Sequence, residues 1–137
     1  NKGFTCIISG GSLICNVHLQ DGDFDESFHI RSSQIKVVLD TVSSMKVRNI
    51  LIAGDFNTTA KRMRVFLKKY PQFKISCVKE NDIDYTIYSG FEGPITFYHA
   101  DIGDVSDHKA VMSILKHSSD RECRRKNFGR KIDIVKL

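Results

Sequence analysis

NILIAGDFN, residues 49–57, is an apolar run that breaks abruptly into Gly54, Asp55 and Asn57. Ile50, Leu51, Ile52 and Ala53 between polar flanks suit a buried strand, which Gly54 ends. A carboxylate and an amide then stand at the C-terminal edge of a sheet, where ligand crevices usually form. Gly, Asp and Asn are also ordinary turn residues. Gly54–Asn57 alone therefore does not decide between a turn and a catalytic site.

Upstream, residues 4–9 and 12–19 read as two strands joined by Gly10-Gly11, a pair that tolerates positive φ in a tight hairpin. Residues 20–29 are polar, acidic and contain Gly22, which reads as a loop. The stripe Ile35, Val38, Leu39, Val42 and Met45 predicts a helix over 33–47, capped by Ser32 or Ser33. Downstream, Thr58 or Thr59 caps a second helix reaching about Tyr70, with Met63, Phe66, Leu67 and Tyr70 inward and Pro71 as its stop. Residues 73–78, 83–88, 94–98 and 109–115 read as further strands, and Ile132, Ile134, Val135 and Leu137 form a last apolar cluster. Mixed helices and strands of this kind make an α+β fold, with sheets covered by helices.

The composition, 41% hydrophobic and 27% charged, is that of a soluble globular protein. No apolar stretch approaches the roughly 20 residues that span a bilayer, so no membrane span is expected. The charge is uneven. Residues 116–137 hold eight Lys or Arg against three acids, a net +5 that equals the net charge of the whole chain, so 1–115 is neutral. Such a basic tail attracts phosphate backbones, and it is equally a solvated end or a docking segment. Cys6, Cys15, Cys77 and Cys123 form no CxxC pair. The first three sit in apolar runs and read as small buried side chains rather than disulfides, from which an intracellular, reducing compartment is the expectation.

Three more motifs carry chemistry. In Asn16-Val17-His18-Leu19, strand alternation turns Asn16 and His18 to one face, where they grip a phosphate or simply face water. In Asp82-Ile83-Asp84-Tyr85, Asp84 enters a strand, from which it can orient an imidazole. In Ser106-Asp107-His108, just before the last core strand, an Asp beside a His offers a metal ligand and an acid/base, or else a capped turn.

Taken in order, NVHL, GDFN, DIDY and SDH resemble the C-terminal half of the endonuclease/exonuclease/phosphatase (DNase-I-like) superfamily, over about residues 5–115. The resemblance implies half of a four-layer α/β/β/α sandwich with mixed β-sheets in residues 1–115, followed by a basic C-terminal tail, 116–137. It implies that His18 hydrogen-bonds the scissile phosphate and that Asp55 orients or deprotonates the attacking water. Asn57 would hold Asp55 and a phosphate oxygen. Asp107 would bind the metal, Mg²⁺ or Mn²⁺, and His108 would contact the phosphate or act as acid/base with Asp84 as its partner. Asn16 and the tail's Arg124, Arg125, Lys126, Arg130 and Lys131 are further candidates for phosphate or nucleic-acid contact.

The implied function is a metal-dependent phosphodiester hydrolase, a nuclease in the first instance, whose substrate is nucleic acid, a phosphoinositide or a phospholipid. Family members carry their principal metal-binding Glu in a first half. Glu26, Glu80, Glu92 and Glu122 do not match it, and the chain opens on Asn1. The expectation is therefore a fragment, or one chain of a split domain, that binds Mg²⁺ poorly until the N-terminal half joins it from the same or another chain. The competing reading is a non-catalytic structural or binding module of a ribonucleoprotein or viral assembly that kept the fold.

Overall fold

The computed structural model describes residues 2–100, 103 and 106–117, with backbone alone for 93–97, 115 and 117. The tail candidates Arg124, Arg125, Lys126, Arg130 and Lys131, Cys123 and the apolar cluster 132–137 lie outside the described residues.

Strand β1 (Gly3–Ser9) pairs antiparallel with β2 (Ser12–His18). Gly10 and Gly11 join them at φ +54° and +73°, the left-handed backbone that a two-residue hairpin turn demands. Helix α1 (Asp25–Ser44) then carries the chain back, so that β3 (Asn49–Asp55) lies parallel to β2. Helix α2 (Ala60–Leu67) leads to β4 (Lys74–Ser76) and β5 (Asp84–Ser89). The five strands form one mixed sheet in the order β1-β2-β3-β5-β4, and β6 (Phe91–Ala100) and β7 (Ala110–His117) make a separate antiparallel pair. The fold is α+β, as the sequence predicts.

One face of the sheet is packed by both helices. Leu13, Cys15 and Val17 of β2, Ile50 and Ile52 of β3, and Tyr85 and Ile87 of β5 are buried there with Ile35, Val38, Leu39 and Val42 of α1 and Ala60, Met63 and Leu67 of α2. Burial of these side chains is the main source of stability, at roughly 1.5–3 kcal/mol for each large one. The described residues leave the other face mostly uncovered. Its Ile7 and Ile14 are exposed and Leu51 half-buried, while the β6–β7 pair touches it at β5, where Thr86 and Ser113 share a 2.7 Å hydroxyl hydrogen bond.

Three expectations are corrected. Residues 25–29 are helix, not loop: α1 begins at Asp25, and Ser32 lies mid-helix, donating to the Phe28 carbonyl rather than capping. Asp25 and Glu26 suit a first turn because carboxylates interact favourably with the positive end of the helix dipole. Met45 falls just past the helix end and is exposed. Finally, Cys6 and Cys15 are a disulfide, not two free thiols. The two-residue turn puts them directly opposite each other, with Cα atoms 4.1 Å apart. The free-thiol argument for a reducing compartment falls with that bond, leaving Cys77 as the free cysteine among the described residues.

Candidate active site

Strand register builds the site. His18, the last residue of β2, pairs with Asp55, the last residue of β3, and Asp55 pairs with Asp84, the first residue of β5. Three candidate side chains thus stand in one row along one sheet edge. Asn16 lies two residues back on the same strand, exposed like His18, while Val17 and Leu19 are buried.

Gly54 makes the row possible. Its φ is +138°, and a Cβ there would stand 2.1 Å from the Val17 carbonyl oxygen. No side chain fits where β2 and β3 approach this closely, so the glycine lets the end of β3 reach the register that sets Asp55 beside His18.

Beyond it, Asn57 turns back in the left-handed region at φ +46°, a conformation Asn tolerates. Its backbone N–H donates to Asp55 Oδ1 at 2.7 Å, and its side-chain amide donates to Asp55 Oδ2 at 3.1 Å and to the Leu19 carbonyl at 3.0 Å. Both carboxylate oxygens are held, and the loop after β2 is tied to the loop after β3. Beneath them Phe56 stacks on Tyr85, ring centroids 4.3 Å apart and planes 1° from parallel.

His108 arrives from the turn before β7 and places Nδ1 2.7 Å from Asp84 Oδ2. That hydrogen bond raises the imidazole's pKa above its ordinary value; the charge of Asp84 adds to the effect and partial burial opposes it. The Ser106 hydroxyl accepts from the His108 backbone N–H at 3.1 Å, shaping the turn. His18 Nε2 lies 3.7 Å from Asp55 Oδ2.

Asp55, Asp84 and His108 offer ligand atoms that all lie within 4.8 Å of one another. Two carboxylates directly opposite on paired strands repel each other, and a cation between them relieves that repulsion. Carboxylate oxygens with one imidazole suit a hard divalent ion such as Mg²⁺ or Mn²⁺. Asp107, the metal ligand expected from the sequence, is exposed and stands outside this trio.

Two residues near the site were not singled out from the sequence. Arg31 is buried and donates through Nη1 to the carbonyls of Gln20 (2.9 Å) and Gly22 (2.8 Å), fixing the segment that follows His18. Arg31 falls one turn before Ile35 on the α1 stripe, where an arginine gives no local sign of a role. Lys109 lines a cleft of about 420 Å³ beside Asn16, Gly54 and Asp84, between the sheet and β7. A lysine following a motif carries no signal of its own.

No protein-family model matches the chain, and no curated protein does. Solved structures do match. The Haemophilus ducreyi cytolethal distending toxin superposes with a TM-score of 0.59 at 20% identity, over 82% of this chain and 52% of the toxin chain. Beta toxin of Staphylococcus aureus gives 0.57 at 19% identity, over 85% of this chain and 58% of that one. An endonuclease/exonuclease/phosphatase from Beutenbergia cavernae gives 0.62 at 16% identity, over 83% and 38%. The fold is therefore that of part of the DNase-I-like endonuclease/exonuclease/phosphatase superfamily, in keeping with the order of its motifs. The chain spans about half the length of the first two structures and less of the third.

Proposed function

We propose that this chain is the C-terminal half of a metal-dependent phosphodiesterase whose substrate is nucleic acid in the first instance. The observation that carries the reading is the row His18–Asp55–Asp84, closed by His108 through its hydrogen bond to Asp84. In this reading Asp55, held at both oxygens by Asn57, directs the attacking water and accepts its proton. The hydrogen bond to Asp84 favours the protonated form of His108, which donates to a phosphate oxygen or to the leaving group from Nε2. His18 binds a non-bridging oxygen, and Asn16, on the same strand face, is a further contact. A divalent ion held by Asp55 and Asp84 would neutralise charge growing on the phosphate oxygens. Asp107 stands as an outer contact on the same turn.

The sheet face with Ile7, Ile14 and Leu51, which the described residues leave uncovered, supports a second half packed there, which would complete the α/β/β/α sandwich. That half, on the same or another chain, would bring the strand-borne Glu that completes the metal site, and the basic tail would contact the nucleic-acid backbone. The test is hydrolysis of a small phosphodiester, bis(4-nitrophenyl) phosphate, beside single- and double-stranded DNA and RNA, by the complete assembly with Mg²⁺ or Mn²⁺. Metal-dependent cleavage that weakens steeply with salt on nucleic acid is expected. An intact assembly that cleaves none of these, with either metal, favours the structural-module reading.

A further inference from the structure

Lys2 is outside every motif read from the sequence, yet its ammonium reaches the site. Nζ lies 2.6 Å from His18 Nε2 and 3.5 Å from Asp21 Oδ2, and its side chain is 26% exposed. An ammonium only donates, so the contact requires His18 Nε2 to be the acceptor and its proton to sit on Nδ1. The same Nε2 lies 3.7 Å from Asp55 Oδ2. One imidazole nitrogen is thus flanked by the lysine on one side and by the carboxylate row on the other.

The arrangement follows from the hairpin. Gly3 of β1 pairs with His18 of β2, so the residue just before β1 falls beside the end of β2. Asp21, in the segment that Arg31 fixes through Gln20 and Gly22, holds the lysine from the solvent side.

We propose that Lys2 is a positioning residue of the phosphodiesterase site: it fixes the tautomer of His18 in the resting protein and joins His18 as the second prong of a clip for a non-bridging phosphate oxygen. The inference rests on the functional reading above and extends it. When a phosphate arrives, the ammonium moves from Nε2 to the anion, and the imidazole switches through solvent to its Nε2–H tautomer, whose N–H then donates to the same oxygen. An ammonium is a compact donor suited to one oxygen, and beside an imidazole it supplies charge that the carboxylate row lacks. A phosphate oxygen bound there neighbours Asp55, the residue assigned to the attacking water.

The test uses the full chain with Lys2→Met and Lys2→Arg, and two readouts. The first is the ring ¹⁵N spectrum of His18 at about pH 8, where a free imidazole is neutral. In the parent protein Nε2 reads as unprotonated; in Lys2→Met the protonated Nε2 form grows, and Lys2→Arg restores much of the parent pattern. The second is titration with dimethyl phosphate, followed on the His18 ring. Lys2→Met weakens binding roughly tenfold, the size of one charge-assisted hydrogen bond, and Lys2→Arg recovers part of it. A His18 tautomer and a dimethyl phosphate affinity both unchanged in Lys2→Met would overturn the proposal. If both respond while the complete assembly hydrolyses no phosphodiester, the clip stands and the catalytic reading falls. In an active assembly, Lys2→Met raises KM several-fold more than it lowers kcat, and an equal loss in both counts against a clip.

Discussion

His108 and Asp84 are the pair whose chemistry is most exposed to experiment. The His108 imidazole titrates above its ordinary value because it is hydrogen-bonded to the Asp84 carboxylate. A raised value in the folded state means that the pair's stabilisation is fully present below about pH 6.5, the ordinary value of a free imidazole. It is lost as pH rises through the higher folded value. Both side chains are partly wet, at 40% and 23% exposure, so the contribution is about 0.5 kcal/mol. In metal-free buffer, Asp84→Asn should return the His108 titration, followed by NMR, to the ordinary range and flatten this part of the stability profile. Asp55→Ala or His108→Ala in the complete assembly should lower turnover by about two to four orders of magnitude, the size of an acid/base or oxyanion-type loss. Near-parent rates in either variant would remove the assignment. The residues of the row were legible in the sequence because each sits in a short motif at a strand end. Lys2 and Arg31 were not: a lysine before an edge strand and an arginine on an apolar stripe have no local signature, and only the register of β1 on β2 and the packing of α1 give them a role.

At the scale of elements, the hairpin and the β3 edge decide the geometry. Replacing Gly54 with Ala sets a methyl group 2.1 Å from the Val17 carbonyl oxygen at a backbone angle that side chains rarely adopt. The β2–β3 pairing must open there. We expect about 2–4 kcal/mol of destabilisation in chemical denaturation, the range of strained backbone and overpacking changes. A midpoint unchanged in Gly54→Ala would show that the two strand ends are less tightly matched than described. The Cys6–Cys15 disulfide ties the edge strand to its neighbour. Intact mass should be two hydrogens lower without reductant than with it, and reduction should lower stability by roughly 2–3 kcal/mol, the usual contribution for a short closed loop. The glycine pair between the strands made the hairpin readable, and a two-residue turn already fixes residue 6 opposite residue 15. The apolar surroundings of each cysteine carry no sign of the disulfide; the cross-strand pairing of the two does. The start of α1 is hidden for a related reason. An acidic, glycine-containing stretch has the composition of a loop, whereas its two acids after Phe24 serve the first helical turn.

At the scale of the molecule, a five-stranded sheet carries helices on one face, and the described residues leave most of the other open, with the candidate row on its edge. The α+β class and the succession of elements along the chain follow from the hydrophobic pattern, since 3.6- and 2-residue periods alternate; the order of strands in the sheet does not. The proposed sandwich would need a second surface on that face, and nothing in the hydrophobic pattern of residues 1–115 specifies it. Among the described residues no helix is long and apolar enough to cross a membrane. The central claim is that the Asp55–Asp84–His108 cluster works as a phosphodiesterase site once its complementary half is present. The most direct test is cleavage of nucleic acid by the complete assembly with Mg²⁺, comparing the parent with Asp55→Ala and with excess chelator. Cleavage that stops with chelator and falls by about two to four orders of magnitude in Asp55→Ala is the predicted result. A folded, complete assembly that cleaves nothing, or cleaves equally well without the metal or without the Asp55 carboxylate, would contradict it.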